Sequence, residues 1–372
     1  MYIDRVSIKG FRNLAPLSLT LSQGLNLFYG GNAQGKTNFL EAVYICSTGR
    51  SQRANTDREM VEYSEESAYI QAFVNTPAAP NKISVHLNKS DKKRIAINGF
   101  PIKKLGQLFG NLLTVIFSPE DLQLIKAGPS ERRRFMDVGL CQLSAVYYHE
   151  LQQYHRVLKQ RNNLLKSIRM TAGLRDTIAA WDEQLATRGI KIIEHRTAFA
   201  EELSLLAREA HAKLTNEREE LSLIYRPSTS PDDFSERLKR GLERDIALGS
   251  TSTGTHKDDI SFQINGEDAR VYGSQGQQRT AALAAKLAEV GLMTKRKQTS
   301  PVLLLDDVLS ELDDERQNCL IRGIEGIQTV MTSTCADVRL PTTAVYRVEN
   351  GEIINGTSIN SKETARGGRE RQ

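Results

Sequence analysis

The chain has 372 residues, a length that suits about two domains. Hydrophobic residues make up 39% and charged residues 26%, which is typical of a globular protein. The net charge of +5 permits nucleic-acid binding without arguing for it, because such binding depends on a local basic surface. The four cysteines are too scattered for a disulfide framework or a metal site, and no run of 18 apolar residues exists to span a membrane. We therefore expect a cytoplasmic protein with reduced thiols.

Alternation of apolar and polar residues predicts strands in the N-terminal part of the chain. The predicted elements are strands at 2–8, 16–21 and 25–29, a helix at 37–48, strands between 67 and 117, the last at 112–117, and a hairpin turn at Asn98-Gly99. Residues 130–215 change to helical spacing, broken at 170–177, which predicts a short antiparallel helical hairpin. Arg161 interrupts one apolar position of its first helix. The segment 226–234 is a loop by composition, and the polar C-terminal tail is predicted to be disordered.

The first motif that carries chemistry is "GGNAQGKT", residues 30–37. It fits the pattern G-x-x-x-x-G-K-[ST] of a phosphate-binding P-loop, and it lies between a predicted strand and a predicted helix, as such a loop requires. Lys36 would reach the β- and γ-phosphates, and the Thr37 hydroxyl would ligate Mg²⁺. The nucleotide-binding residues predicted here are Gly30, Gly31, Asn32, Ala33, Gln34, Gly35, Lys36, Thr37 and Asn38. An ordinary glycine-rich turn is the alternative, and the flanking elements weaken it.

The second motif is "PVLLLDDVLSELD", residues 301–313. Four apolar residues predict a buried strand that ends in Asp306 and Asp307, which beside a P-loop is the Walker B arrangement. Asp306 would hold Mg²⁺, directly or through water, and Asp307 would orient or deprotonate the attacking water. The alternative is a strand followed by a helix whose N–H groups the aspartates cap. The P-loop upstream favours the catalytic interpretation.

A third segment, "YGSQGQQRTAALAAKLAEVGL" (272–292), opens a helix with a polar loop. Ser274 and the backbone of Gly276 could present hydrogen-bond donors at the helix N-terminus, as a second anion site. On physical grounds alone, an ordinary N-capped helix is preferred.

The order of P-loop, helical insertion, "GSQGQQ" and "LLLDDVLSELD" resembles the ABC-type ATPase heads of the SMC and RecF class. The match is closest to the RecF branch, and it extends through "YIDRVSIKGFRNL", "STGRSQR", "FSPEDLQLIKAGPSERRRFMD", "WDEQLATRGI" and "GTHKDDI". The resemblance implies that Ser274, Gln275 and Gly276 form the signature loop, which completes the ATP site of another subunit. It also implies that Arg12 contacts the nucleotide and that "SELD" is the D-loop.

The fold implied is α/β: an ABC-type, SMC-like P-loop ATPase head. Its lobe I would take residues 1–118 and 296–358, a helical lobe II with the hairpin would take 119–295, and a tail would remain at 359–372. The resemblance further implies ATP and Mg²⁺ as cofactors, and weak, DNA-stimulated ATP hydrolysis. It implies an ATP-dependent homodimer that binds DNA at gaps or single-strand/double-strand junctions, and double-stranded DNA. This dimer would cooperate with RecO and RecR to load RecA during repair and the SOS response, in the cytoplasm at the nucleoid.

Two other functions stay open. A transporter ATPase subunit would usually carry Glu in place of Asp307 and a switch His after the next strand, where "TVMTST" ends in Ser333 and Thr334. A structural SMC-like tether would need a longer coiled coil than the predicted hairpin. The shorter carboxylate of Asp307 suggests slow turnover.

Three basic clusters are candidate DNA contacts: Arg132–Arg134, "RVLKQR" (156–161) and "ERLKRGLER" (236–244). Each is more often a solvated helix face, so the sequence leaves the DNA-contacting residues open. His256, within "GTHKDDI", is more readily a satisfied structural histidine than a catalytic one.

Overall fold

The computed structural model describes residues 1–169, 172–336 and 340–357. The chain separates into two compact units. One contains residues 1–119 together with the described residues from 293 onward, and the other contains residues 120–292. The predicted tail lies outside the described residues. The assignment of these units as an ATPase lobe and a helical lobe stays a prediction.

Both units contain strands and helices. The strands are β1 (Tyr2–Lys9), β2 (Leu17–Thr20), β3 (Leu25–Tyr29), β4 (Ser67–Asn75), β5 (Pro80–Asn88), β6 (Arg94–Ile97), β7 (Phe100–Pro101), β8 (Thr114–Phe117), β9 (Leu221–Arg226), β10 (Asp259–Ile264), β11 (Glu267–Asp268), β12 (Val302–Asp306), β13 (Thr329–Ser333), β14 (Thr342–Glu349) and β15 (Glu352–Thr357). The α-helices are α1 (Lys36–Thr48), α2 (Gln123–Lys126), α3 (Pro129–Leu143), α4 (Ala145–Ile168), α5 (Ile178–Thr215), α6 (Phe234–Arg240), α7 (Leu242–Leu248), α8 (Gln275–Lys297) and α9 (Asp314–Gly323). Among these helices none is long and apolar enough to cross a membrane.

The first unit contains an antiparallel sheet of order β2-β1-β4-β5-β6-β7 and a mixed sheet of order β15-β14-β3-β13-β12-β8. In the antiparallel sheet, Asn98 and Gly99 both have positive φ between β6 and β7, so the predicted hairpin turn is confirmed. In the mixed sheet, β14, β3, β13, β12 and β8 run parallel. Parallel strands end at one edge of the sheet, so the ends of β3 and β12 are brought together with β13 between them.

Aromatic packing fixes α1 against this sheet. Phe28 of β3 stacks on Phe39 of α1 with ring centroids 4.5 Å apart, and on Tyr346 of β14 at 4.6 Å. Both strand and helix are almost wholly buried, as expected when a parallel sheet is covered on both faces. The N-terminus of α1 is therefore held at the edge where β3 ends.

The second unit contains the predicted hairpin, formed by α4 and α5, and also a sheet that the sequence interpretation missed. We expected a helical lobe, but β9, β10 and β11 form an antiparallel sheet of order β11-β10-β9. The alternation in "LSLIYR" and "DISFQI" is the signal for these two strands. Ser204 of α5 accepts a hydrogen bond from the N–H of Leu223 at 3.0 Å, which places β9 along the hairpin.

Arg161, which interrupts the apolar stripe of the first hairpin helix, links that helix to its neighbours. The side chain is fully buried and donates to Asp182 of α5 at 2.6 Å and to Asp245 of α7 at 2.7 Å. It also donates to the Thr251 hydroxyl at 2.9 Å. Arg161 is thus the centre of a buried ionic cluster that joins three helices.

Candidate nucleotide-binding site

The phosphate-binding loop follows β3 and can pass closely against its neighbours only because glycines stand at its ends. A Cβ on Gly30 would lie 2.2 Å from the carbonyl oxygen of Val348. Gly35 has a φ of 110°, and a Cβ there would lie 2.9 Å from the side chain of Leu14. Both positions therefore need glycine for steric reasons, beyond the motif itself.

Hydrogen bonds hold the loop from one side. The carbonyl of Gln34 accepts from the N–H of Gly351 at 2.9 Å, and Asn13 donates to the carbonyl of Ala33 at 3.2 Å. Asn38, in the first turn of α1, donates to the side-chain oxygen of Asn13 at 2.7 Å. These hydrogen bonds hold the loop in place without a ligand. Such preorganisation is what anion binding by backbone N–H groups requires.

The ammonium of Lys36 lies within the loop. It donates to the carbonyl oxygens of Gly30 at 2.6 Å and Gly31 at 2.7 Å. Burial lowers the pKa of Lys36, and the nearby carboxylates of Asp307 and Asp306 oppose that shift. Its present acceptors are neutral, so an anionic phosphate would compete for the same ammonium with a stronger, charge-assisted hydrogen bond.

Thr37 and Asp306 lie together, although 269 positions separate them in sequence. The Thr37 hydroxyl donates to Oδ1 of Asp306 at 2.8 Å, and the Thr332 hydroxyl of β13 donates to the same oxygen at 2.7 Å. Carboxylate and hydroxyl oxygens are ligands that Mg²⁺ prefers. The described residues contain no group of three or more His, Cys, Asp or Glu side chains that could hold a metal ion by themselves. This donor set therefore fits a Mg²⁺ ion that takes its remaining ligands from phosphate and water.

Asp307 has a left-handed backbone, with φ of 51° and ψ of 30°. Its N–H donates to the Thr332 hydroxyl at 3.0 Å, so one threonine orients both aspartates of the motif. The Asp307 side chain makes no capping hydrogen bond to the following 3₁₀ turn, Val308–Glu311. The alternative in which this aspartate serves as a helix cap is therefore not observed. Asp313, in contrast, caps the N-terminus of α9, since its side chain accepts from the N–H of Arg316 at 2.9 Å.

Arg12 lies beside the P-loop helix and is held by a bidentate ion pair. Its Nε and Nη2 donate to the carboxylate of Glu41 at 3.0 and 2.9 Å, and its Nη1 donates to the carbonyl of Glu59 at 2.8 Å. Glu41 is buried in α1 and also accepts from the Ser51 hydroxyl. The nucleotide contact of Arg12 stays a prediction. The sequence analysis did not find Glu41 or Thr332, since no motif marks them.

The predicted signature loop belongs to the second unit, at the start of α8. Ser274 accepts from the N–H of Gln277 at 3.2 Å, and the side chain of Gln277 accepts from the N–H of Ser274 at 2.8 Å. This is a capping box, the geometry that physical reasoning alone preferred. The three residues from Ser274 to Gly276 are exposed. Their role toward ATP stays a prediction.

Comparison with known proteins shows which family the chain belongs to. The family model for the RecF/RecN/SMC N-terminal domain matches residues 2–348. The DNA replication and repair protein RecF of Lachnoclostridium phytofermentans is 47% identical over 360 residues, which cover 96% of this chain and 100% of that relative. The protein of the same name from Lachnospira eligens is 44% identical over 361 residues, or 95% of this chain and 99% of the relative. The chain belongs to the RecF family.

Solved structures support the RecF-family fold. The structure of the recombination mediator protein RecF-ATP in the RecFOR pathway has a TM-score of 0.91 and 36% identity, covering 96% of this chain and 98% of that one. The Smc head domain from Pyrococcus furiosus has a TM-score of 0.58 and 15% identity, covering 96% of both chains, and shares the fold alone. The predicted SMC-like, ABC-type α/β head is therefore confirmed.

Two of the arginines suggested as DNA contacts are unsuited to that role. Arg132 is buried and donates to both carboxylate oxygens of Asp259, at 2.7 and 2.9 Å. Arg161 is buried in the ionic cluster between the helices, where DNA cannot reach it. Both clusters that contain them are thus smaller than the sequence suggested. The sequence could not distinguish these buried arginines from exposed ones.

His256 has a structural role, as the sequence analysis preferred. Its Nε2 donates to the carbonyl of Thr251 at 3.0 Å, so its Nδ1 is the unprotonated nitrogen that accepts from the Tyr154 hydroxyl at 2.9 Å. Burial is the main cause that lowers the pKa of His256 to about 4. The imidazole is therefore neutral at physiological pH and joins α4 to the 3₁₀ turn Thr255–Lys257.

Proposed function

We propose that this protein is an ATP-dependent DNA-binding protein of recombinational gap repair. Two copies close on ATP at a gap or a single-strand/double-strand junction, hydrolyse it slowly, and assist RecO and RecR in loading RecA. Relatives named as DNA replication and repair proteins, and a relative described as a recombination mediator with ATP, support this assignment. The observation that carries its nucleotide part is the convergence of Lys36, Thr37 and Asp306 at one sheet edge.

Each of these side chains has a separate task in the proposed reaction. Lys36 exchanges its two loop carbonyls for the β- and γ-phosphates, and the N–H groups at the start of α1 face the same phosphates. Thr37 and Asp306 would hold Mg²⁺, which when bound would supply positive charge beside the phosphates. Asp307 accepts a proton from the attacking water or orients it.

The signature loop acts on the nucleotide of the other copy. The Ser274 hydroxyl uses a lone pair to accept from the Gln277 N–H, so its own proton is available to donate to a phosphate oxygen. The exposed backbone of Gly276 carries no Cβ that would hinder close approach. ATP is then held by Lys36 of one copy and by Ser274 of its partner, and it joins the two heads.

The molecular mass in solution tests this function. We expect a monomer without nucleotide, a dimer with ATP and Mg²⁺, and tighter ATP-dependent binding to gapped DNA than to single strands. Analytical ultracentrifugation and binding to labelled gapped DNA measure both, with Lys36→Met as the control that binds ATP poorly. A protein that binds ATP and yet stays monomeric with and without DNA would exclude the proposed mechanism.

A further inference from the structure

The exposed face of α4 carries basic side chains and no acid. The helix contains one carboxylate, Glu150, which is buried and pairs with Arg188 at 2.8 Å and Lys191 at 3.4 Å of α5. The exposed basic side chains of α4 are His149, His155, Arg156, Lys159 and Lys166. This face therefore has a positive potential that no carboxylate of its own helix reduces.

The cations on α4 follow one stripe. Arg156, Lys159, Asn163 and Lys166 are three, four and three residues apart, so they lie on the same side of the helix. From Arg156 to Lys166 the stripe extends about 15 Å along the helix axis. Over that length, duplex DNA presents several phosphates, since it carries one charge for about every 1.7 Å.

A second element brings its charge to the same region. Lys257 is exposed at the end of the turn that His256 ties to Tyr154 of α4. In sequence two aspartates follow Lys257, and both are paired with arginines of other elements. Asp258 is fully buried and accepts from Arg196 at 2.9 Å, and Asp259 is held by the buried Arg132. The two acidic residues that follow Lys257 in sequence are thus neutralised by arginines.

Three basic side chains from different elements lie near His256. The charges of Lys257, His155 and Arg133 each contribute to the low pKa of His256, after burial. Arg133 is half-buried and donates to the carbonyl of Asp258 at 2.8 Å, which keeps its guanidinium at this surface. Three elements, α3, α4 and the turn, therefore each bring a basic side chain to the surroundings of His256, and Arg156 follows His155 directly in α4.

The cluster on α6 and α7 is different, although the sequence patterns look alike. Arg240 donates to Glu236 one turn earlier at 2.9 Å, and Glu243 pairs with Arg175. The exposed side chains of these helices include two acids, Glu236 and Glu243, and four cations, Arg237, Lys239, Arg240 and Arg244. The acids neutralise part of the positive charge, which is typical of a solvated surface, whereas the exposed face of α4 has no acid. These helices therefore offer exposed cations for a control.

We propose that Arg156, Lys159 and Lys257 form a surface that contacts the phosphate backbone of duplex DNA. The inference rests on the proposed function, because it assigns the DNA contact of that function to named residues. Phosphate contacts position a protein on the duplex but carry no sequence information, so the binding should not depend on base sequence. In an ATP-bound dimer both copies contribute, and their phosphate contacts add.

Salt-dependent DNA binding provides the test. The triple variant Arg156→Gln, Lys159→Gln and Lys257→Gln is compared with the control Lys239→Gln, Arg240→Gln and Lys295→Gln, which removes the same charge from exposed positions elsewhere. Fluorescence anisotropy with labelled duplexes of two unrelated sequences, at saturating ATP and Mg²⁺, gives Kd across a range of KCl concentrations. We expect the first variant to bind both duplexes at least about tenfold more weakly, with a log–log salt slope smaller by about 2.7 for each copy that contacts DNA.

The control variant should keep both the affinity and the slope of the unmodified protein. Equal losses in the two variants, or an unchanged slope in the first, would overturn the proposed surface and leave DNA binding itself intact. ATP binding and the thermal midpoint are measured in both variants, so a loss through misfolding is recognised. An unmodified protein that binds no DNA with ATP at low salt would instead overturn the proposed function, and this surface with it.

Discussion

Replacement of Asp307 by asparagine should separate ATP hydrolysis from ATP binding. The left-handed backbone at this position is one that asparagine adopts as readily as aspartate. The hydrogen bond to Thr332 is donated by the backbone and survives the exchange. The side chain keeps its shape and loses its negative charge and its ability to accept a proton. We therefore expect the free energy of unfolding to change by less than about 0.5 kcal/mol.

The expected kinetic effect is far larger than the structural one. A positioned general base contributes about 10²- to 10⁴-fold to a rate, so kcat should fall by that factor, or about 2.7–5.5 kcal/mol of activation free energy. ATP affinity should stay within about threefold, because Lys36, Thr37 and Asp306 are unchanged and supply the charged contacts. Asp306→Asn, in contrast, replaces the carboxylate that accepts from two threonines and should weaken Mg²⁺-dependent ATP binding about tenfold or more.

Phosphate release at saturating ATP measures kcat, and titration with a fluorescent ATP analogue measures affinity with and without Mg²⁺. Sedimentation should show that the ATP-bound dimer accumulates with Asp307→Asn, since its nucleotide is held but not cleaved. A variant that hydrolyses ATP at the unmodified rate would refute the assignment of Asp307. Equal losses of ATP affinity in the two variants would refute the division of roles between the aspartates.

Three further predictions follow from the same structure. Lys36→Met should weaken ATP binding about 10- to 100-fold, because one charge-assisted contact is lost, and the fold should persist. Equilibrium binding measures the Kd for ATP and circular dichroism checks the fold; an unchanged Kd would exclude the P-loop assignment. Ser274→Arg should bind ATP normally but not dimerise. Ser274→Ala loses the same cap, at about 1 kcal/mol, and the same hydroxyl donor, but it adds no bulk, so it should dimerise more weakly than the unmodified protein and better than Ser274→Arg. A mixture of Ser274→Arg and Lys36→Met copies should recover part of the ATPase, and full dimerisation of Ser274→Arg would disprove action in trans. Arg161→Met should lower the free energy of unfolding by about 3–5 kcal/mol, because Asp245 would stay buried without its cation. The control Arg240→Met, at an exposed ion pair, should lower it by less than about 0.5 kcal/mol. Equal denaturation midpoints for the two variants would contradict the stabilising role of the buried cluster.

The local parts of the nucleotide site could be predicted from the order of residues alone. The P-loop conformation depends on consecutive residues, with glycines where a Cβ would collide, so its pattern could be read without a structure. The strands at 2–8, 16–21 and 25–29 and the helix at 37–48 end within one residue of those in the structure, because burial period and loop chemistry are local signals. The apolar run before Asp306 likewise predicted a buried strand whose end faces the P-loop. The strand expected at 112–117 begins two residues later, at Thr114.

Contacts between residues distant in sequence depend on how the strands and helices are arranged in the fold, and these contacts could not be predicted. Thr332 joins the two aspartates because β13 pairs between β3 and β12, and no motif in its own segment indicates that order. Arg161 looked like a defect in an apolar stripe, and is a stabilising centre because Asp182 and Asp245 happen to lie opposite. The local charge around Lys257 could likewise not be predicted from the sequence. Its sequence neighbours are acidic, but the fold turns them toward buried arginines, and electrostatic potential follows distance in space rather than position in the chain.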